Sequence, residues 1–321
     1  MGKGQPGDAA RRPLGVFVGL ATLDVIHRVQ RSPAANEKVT AVRQDVAAGG
    51  PAANAAVVFA ALGGRARLVT ALGTHPVARL IQAELESRGV EVVDVVPGAG
   101  TPPPVSAVTV TDSTGDRAVV SMDAAAHDVA APAALVRQLA GAAVVLLDGH
   151  HPRLMVAAAR AARTSGDDPT ERALVVLDAG RWRPAMSAVL DLVDVAVCSA
   201  DFRAPGAVDA ATSARALLEA GVAAVATTAG ADPVRWWRGV PPGTTQHGSV
   251  GVPQVAAVDT LGAGDAFHGA FAWFAIQRPA DPGGASLRRA LDSAARVAAF
   301  RCTVPGPRTW LDALTSGLSR G

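Results

Sequence analysis

Residues 258–269 read Val-Asp-Thr-Leu-Gly-Ala-Gly-Asp-Ala-Phe-His-Gly, a glycine-rich turn followed by an apolar helical pattern. The glycines let several backbone N–H groups converge, and the N-terminus of a helix adds roughly half a positive charge. The segment therefore predicts an anion cradle at Gly262, Ala263 and Gly264 that needs no lysine. Asp265 follows in the first helical turn, where it either caps the helix or takes a proton from an acceptor hydroxyl. The neighbouring anion site favours the catalytic interpretation.

Around this turn, short apolar runs alternate with alanine-rich helical stretches. Strands are predicted at 16–20, 67–71, 144–148, 173–178, 193–198 and 223–228. Helices are predicted between them at 51–62, 76–88, 151–163 and 207–219. Strands that are apolar throughout are typical of a sheet buried on both faces. The alternation therefore predicts an α/β fold in which helices cover a mainly parallel sheet.

The remaining strand candidates break this alternation because no helix is evident between them. They lie at 24–29, 38–46, 91–95, 105–111 and 117–122. A small β-layer leaves one face exposed unless it covers something. We therefore predict a lid over a cleft, formed from about 24–48 and 91–122.

The composition excludes several classes of function. The chain has 321 residues, of which 49% are hydrophobic and 18% charged, and its formal net charge is +2. This balance gives no argument for binding nucleic acid or an anionic membrane. Lys3 and Lys38 are the only lysines, and neither lies in a Gly-Lys-Ser/Thr tripeptide. A Walker A loop is therefore excluded, and a Schiff-base enzyme is not expected.

Cysteine usage and the N-terminal segment bear on the compartment. Cys198 and Cys302 form no CxxC motif, which argues against structural zinc and for a reducing compartment. Arg11 and Arg12 precede an apolar run, but Asp24 interrupts it and no Ala-x-Ala cleavage site follows. We expect a cytoplasmic protein without a membrane span. Residues 1–13 are expected to form a flexible tail before a single domain at 14–321.

Three motifs resemble those of the ribokinase-like (PfkB) carbohydrate kinases. Residues 259–265 are similar to the C-terminal signature of that family, residues 49–56 to its N-terminal Gly-Gly motif, and residues 19–24 to its strand that ends in a sugar-binding Asp. The motifs occur in the family's order, and the resemblance covers roughly residues 14–312. It implies a ribokinase-like three-layer α/β/α domain with a small β-sheet lid. It also implies ATP as the phosphoryl donor and Mg²⁺ as a cofactor, with K⁺ as a further candidate.

The resemblance assigns a role to each matching residue. Asp265 would be the catalytic base, and the anion hole would consist of Gly262, Ala263 and Gly264. The residues that would hold the sugar are Asp24, Gly50, Asn54 and Arg117. Thr228 and Gly230 would contact the nucleotide. Asp259 and Thr260 would hold a monovalent cation.

Position in the chain suggests two more site residues. Asp148 ends a predicted strand, where ligands of α/β proteins bind, so we predict that it contacts the substrate. His268 lies one turn after Asp265 and either contacts the nucleotide or packs in the core. The Asn-x-x-Glu that the family carries after the strand at 193–198 is absent, and Asp201 is the candidate substitute for its contribution to Mg²⁺ placement.

We therefore predict an ATP-dependent sugar kinase, a phosphotransferase that moves the γ-phosphate to a hydroxyl of a small sugar or sugar derivative. Short motifs resemble the sulfofructose kinase branch most, with fructokinase, ribokinase and 2-keto-3-deoxygluconate kinase as close competitors. The alternatives are a nucleoside kinase, which the 4% aromatic content disfavours, and a binding or regulatory protein that has lost turnover. The expected partners are the sugar, ATP and a second copy of the chain, paired through the lid.

Overall fold

The computed structural model of the protein describes residues 12–122, 129–164, 172–240, 243–277 and 284–318. Most of the predicted tail at 1–13 lies outside the described residues. In chain order, the strands are β1 (Leu14–Val18), β2 (Thr22–Val29), β3 (Arg43–Gly49), β4 (Arg65–Thr70), β5 (Val90–Asp94), β6 (Val105–Thr111), β7 (Arg117–Ser121), β8 (Ala142–Leu147), β9 (Leu174–Ala179), β10 (Val195–Cys198), β11 (Ala224–Ala229), β12 (Asp232–Val240) and β13 (Thr244–Val250). The α-helices are α1 (Pro51–Ala61), α2 (Pro76–Ser87), α3 (Leu135–Leu139), α4 (Pro152–Thr164), α5 (Ala210–Glu219), α6 (Ala263–Ala275), α7 (Ala285–Cys302) and α8 (Thr309–Leu318).

The central sheet has nine strands in the order β13-β12-β11-β10-β9-β8-β1-β4-β5. The seven strands from β11 to β5 pair in parallel, and β12 and β13 extend one edge as an antiparallel hairpin. The mainly parallel sheet predicted from the alternation is therefore confirmed. The hairpin at its edge is an addition that the alternation did not predict.

Successive residues of β1 show how the two helical layers are separated. Phe17 packs into the hydrophobic cluster that includes α1, α6 and α7, whereas Val16 and Val18 pack into the cluster on the other face. This is the alternation expected of a strand with both faces covered. The result is the three-layer α/β/α arrangement that the sequence predicts.

The second sheet has the strand order β3-β2-β6-β7 and forms the lid. Its two outer pairs are antiparallel, and the central pair of β2 and β6 is parallel. Within the described residues, the hydrophobic cluster separate from the central core consists of Ile26, Val108 and Val110, which pack against Leu261. A sheet with so small a core depends on its contacts with the central domain for stability.

The assignment of residues 91–95 to the lid is wrong. These residues belong to β5, which pairs in parallel with β4 at the edge of the central sheet. The reason is that α2 lies between β4 and β5, so that the three elements form an ordinary β-α-β unit. The extended segment predicted at 38–46 also differs from the structure, because β3 begins only at Arg43.

Candidate active site

A small polar cleft lies where the lid meets the central domain. Its lining comes from β2 and β3 of the lid, from α1, from the N-terminal end of α6, and from the end of α7, the start of α8 and the segment between them. The polar side chains among its lining residues are Asp24, Asn54, Arg301 and Arg308.

The turn before α6 has the conformation that an anion cradle requires. Gly262 has a φ of 73° and a ψ of 11°, in the left-handed region that favours glycine. Gly264 is exposed, and a Cβ placed on it would meet no atom within 4 Å. The space beside Gly264 at the N-terminus of α6 is therefore open, as a phosphate site at a helix N-terminus needs, whereas the N–H of Ala263 donates to the carbonyl oxygen of Thr260 at 3.3 Å.

Asp265 lies next to Asn54, as the resemblance implies for two residues of one site. The amide Nδ2 of Asn54 donates a hydrogen bond of 2.7 Å to Oδ2 of Asp265. Close packing of α1 against α6 brings them together, because a Cβ on Gly269 would lie 2.3 Å from the carbonyl oxygen of Ala55. Gly269 is one helical turn beyond Asp265, and Ala55 follows Asn54. A glycine at this crossing therefore sets the distance between the two polar side chains.

Asp24 occupies the lid side of the cleft. Burial raises its pKa above the usual value, while hydrogen bonds from the hydroxyls of Thr22 and Ser106 oppose the shift. The Gly-Gly motif makes room for it, because a Cβ on Gly49 would lie 2.0 Å from a carboxylate oxygen of Asp24. Gly50 has a φ of 97°, and a Cβ there would lie 2.4 Å from the carbonyl oxygen of Leu20. Both glycines thus have steric reasons for their positions beside the cleft.

Arg308 completes the polar wall of the cleft, although no sequence motif predicts it there. Its Nη1 donates to Oδ1 of Asn54 at 3.0 Å, and its Nη2 donates to the carbonyl oxygen of Ala48 at 2.7 Å. Its Nε donates to Oε1 of Glu84 at 2.9 Å. The only local signal is the Pro-Gly-Pro turn that precedes it, which does not reveal that its partners lie more than 200 residues away.

Arginine side chains fill the place predicted for a monovalent cation. The carboxylate of Asp259 lies 3.1 Å from Nη2 of Arg28 and 3.4 Å from Nη2 of Arg301. It also accepts hydrogen bonds from the backbone N–H groups of Leu261 at 3.0 Å and Gly306 at 2.9 Å. Two guanidinium groups of the chain already neutralise this carboxylate, which argues against the predicted cation ligand at Asp259.

The hairpin end of the lid rests on the same segment. Nη1 of Arg117 donates to Oγ1 of Thr260 at 3.0 Å, and Thr260 Oγ1 donates to the carbonyl oxygen of Gly115 at 3.3 Å. Arg117 of β7 lies opposite Val110 of β6, and Val110 lies opposite Arg28 of β2. Arg28 is four residues from Asp24 along β2. That spacing is about 13 Å along the strand. The structure therefore places Arg117 and Thr260 against each other, and it does not bring Arg117 to Asp24 as a sugar site would require.

Asp148 does not line the cleft, contrary to the prediction that it contacts the substrate. Its side chain is fully buried and accepts hydrogen bonds from the backbone N–H groups of Leu20 at 2.8 Å, Ala52 at 3.2 Å and His150 at 2.9 Å. Burial alone would raise its pKa, but His150 and these amides lower it to about 2. Asp148 therefore ties the end of β1 to the start of α1, and its effect on the site is indirect.

His268 is buried behind the catalytic helix. Its Nδ1 lies 2.7 Å from the carbonyl oxygen of Gly264, and its Nε2 lies 3.4 Å from Oδ1 of Asp178. Burial raises the pKa of Asp178 to about 6, against the opposing effect of His268. With 6% of its surface exposed, His268 packs in the core.

The residues predicted at the nucleotide lie at the end of β11. Thr228 donates from Oγ1 to the carbonyl oxygen of Cys198 at 3.4 Å, and Gly230 has a φ of 59° in the turn to β12. Asp201 is exposed after β10. No group of three or more His, Cys, Asp or Glu side chains that could hold a metal ion occurs within the described ranges. Among the helices that the structure describes, none is long and apolar enough to cross a membrane.

Comparisons with known proteins bear on the family and the fold. The family model described as pfkB family carbohydrate kinase matches residues 13–314. Ketohexokinase from Mus musculus is 27% identical over 297 residues, which cover 90% of this chain and 96% of that protein. Among solved structures, ribokinase from Arabidopsis thaliana in complex with ribose and ATP has a TM-score of 0.69 at 22% identity, over 94% of this chain and 98% of its own. Ribokinase from Giardia lamblia has a TM-score of 0.75 at 17% identity, over 95% of this chain and 99% of its own. The two structures support the fold.

Proposed function

Since the chain belongs to the pfkB family of carbohydrate kinases and is a phosphotransferase with an alcohol group as acceptor, we propose that it transfers the γ-phosphate of ATP to a hydroxyl of a small sugar. The observation that carries the proposal is the position of Asp265. Asp265 follows Gly264, beside which the N-terminus of α6 is open, and its carboxylate lies 2.7 Å from the side-chain amide nitrogen of Asn54 in the cleft. In-line phosphoryl transfer needs a base for the acceptor hydroxyl close to a site that stabilises the transferring phosphoryl group.

In this proposal the chain's own groups position the acceptor and stabilise the transferring group. Asp265 accepts the proton of the attacking hydroxyl, and the amides at Gly262, Ala263 and Gly264 stabilise the developing negative charge. Asp24 and Asn54 bind other hydroxyls of the sugar. Bound together with ATP, Mg²⁺ would neutralise the charge of the phosphates.

The charges that line the cleft favour an uncharged sugar. Among the described lining residues, Arg308 pairs with Glu84 and Arg301 pairs with Asp259. Asp24 and Asp265 add negative charge that suits hydroxyl donors. A sulfonate or carboxylate on the sugar would have to displace an existing ion pair, so we rank neutral ketoses and aldoses above sulfosugars and keto-deoxy acids.

The outer face of the lid supports a homodimer. The register places Val46, Val25, Ala107 and Val120 in one row across all four strands of the lid. Val46 is 53% exposed and Val120 is 76% exposed. A continuous apolar row on an exposed sheet is a surface that a second copy of the chain would cover. We therefore propose that two chains pair through this row.

A substrate panel tests the proposed activity. Release of ADP would be followed in a coupled assay with ribose, fructose, other ketoses and aldoses, sulfosugars, keto-deoxy acids and nucleosides. We expect turnover with at least one neutral sugar, with Asp265→Asn as the matched control that keeps the side-chain size. Turnover only with nucleosides would replace the sugar assignment, and ADP release that no acceptor stimulates would contradict the proposed activity.

A further inference from the structure

We propose that Arg308 is a positioning residue that fixes the direction of the Asn54 amide and, through it, the catalytic carboxylate of Asp265; this inference rests on the proposed function. The three side chains form a continuous chain of hydrogen bonds. Arg308 Nη1 lies 3.0 Å from Asn54 Oδ1, and Asn54 Nδ2 lies 2.7 Å from Asp265 Oδ2. No motif assigns Arg308 to this site, and it does not contact Asp265 itself.

The chemistry of the two ends determines the direction of the amide in the middle. A guanidinium group has only donors, and an ionised carboxylate has only acceptors. The oxygen of the Asn54 amide must therefore face Arg308, and its nitrogen must face Asp265. If Arg308 were removed, one of the two anchors that define this direction would be lost. The amide would then be held only at its nitrogen, by the carboxylate, and would rotate more freely about its last bond.

Arg308 is itself held firmly enough to serve as an anchor. Only 11% of its side chain is exposed, and its guanidinium spans Glu84 of α2, the carbonyl oxygen of Ala48 in β3 and Asn54 of α1. The planar fork of arginine suits three partners in different directions, whereas the single ammonium of lysine does not. The guanidinium thus relates the lid, α2 and α1 to the catalytic helix.

The composition of the chain offers a direct measurement. Asn36 and Asn54 are the only asparagines in the sequence. Full-length protein labelled with ¹⁵N-asparagine therefore gives two side-chain NH₂ signals, and Asn36→Ala assigns them. Asn36 lies on the surface and serves as the internal reference. We expect the Asn54 pair to be widely separated in proton shift and slow to exchange, because one of its protons binds a carboxylate.

Arg308→Met should collapse that separation and speed the exchange of the Asn54 pair, while the Asn36 pair stays unchanged. Arg308→Lys keeps a charge beside Glu84 and should show the same change, which covers the case in which the methionine variant folds poorly. Arg296→Met is the matched control. Arg296 is also an arginine that pairs with a carboxylate, Asp292 at 2.9 Å on α7, but it shares no partner with Arg308 in the described part of the chain. An Asn54 signal that is unchanged in both Arg308 variants, or equally changed in the control, overturns the inference.

A double-mutant cycle supplies the catalytic arm, with the neutral sugar that the panel identifies. Arg308→Lys should lower kcat about tenfold or more and leave the KM for ATP unchanged, since a hydrogen-bond relay to a charged group is disturbed. Added to Asn54→Ala, it should lower kcat no further, because its effect passes through that amide. Losses that multiply would show that Arg308 acts on its own. Failure of the proposed function appears separately, as a wild-type chain that phosphorylates no sugar while the labelled signal still responds to Arg308.

Discussion

Replacing Asp259 by Asn tests how the loop that carries the anion cradle is held. The wild-type carboxylate is 2% exposed and faces Arg301, also 2% exposed, and Arg28, 9% exposed. The amide keeps the shape but removes the negative charge, so that two buried guanidinium groups lose their counter-charge. Breaking a buried ion pair from one side costs ~3–5 kcal/mol. That is a large part of the ~5–15 kcal/mol by which domains are usually stable.

Equilibrium unfolding in urea, followed by circular dichroism, measures this loss. Asp292→Asn is the matched control, because Asp292 pairs with Arg296 at 2.9 Å on the surface of α7. An exposed pair of that kind contributes at most about 1 kcal/mol. If Asp259→Asn lowers the free energy of unfolding by less than about 1 kcal/mol, or by no more than the control, the loop does not depend on these arginines.

The remaining predictions concern catalysis, cation dependence, pH and the lid. Asp265→Asn should lower kcat at least ~10²-fold with little change in melting temperature, since the amide can still accept from Asn54. Near-normal turnover would show that Asp265 is not the catalytic base. Turnover should be equal in potassium and sodium chloride at constant ionic strength, because Arg28 and Arg301 neutralise Asp259, and a severalfold activation by potassium would contradict this. Asp148 has its pKa lowered from 3.8 to about 2, so its stabilisation of about 2 kcal/mol should be complete above about pH 4 and be lost as the pH falls toward 2. Urea unfolding of Asp148→Asn should therefore show a deficit at pH 7 that shrinks toward pH 2, and a deficit that does not depend on pH refutes the assignment. Amide exchange in β6 and β7 should slow when the sugar and a nonhydrolysable ATP analogue bind, and exchange that is already slow and indifferent to ligand would contradict a closing lid.

The glycine turn and the central sheet could be predicted because their signals are local. Apolar strands separated by helical stretches suffice for a parallel sheet, and a Gly-Ala-Gly turn before a helix suffices for a cradle. It was less predictable which of the glycines in this turn must adopt the left-handed conformation. The left-handed φ falls on Gly262, while Gly264 is needed only for the open space beside it.

The side chains that surround the site were predictable only where a motif marks them. Asp259 meets Arg28 and Arg301 across 231 and 42 positions of sequence, and no periodicity relates such residues. Asp148 was misassigned because the end of a parallel strand can equally well supply a buried acceptor for backbone amides. Whether a polar side chain faces a cleft or the interior depends on packing that a single sequence does not express.

The distances along the chain between the members of the site have a consequence for how the protein folds. The hydrogen bond from Asn54 to Asp265 closes a loop of 211 positions, and that from Arg308 to Asn54 closes one of 254. Contacts between residues so far apart in the sequence form late, because closing the long loop between them costs chain entropy before the contact itself contributes stability. No contiguous fragment contains the site, so a partly folded chain has its helices and much of its sheet but no base held beside an anion cradle. Recovery of turnover after dilution from denaturant therefore marks completion of the whole domain, later than the recovery of its helical signal.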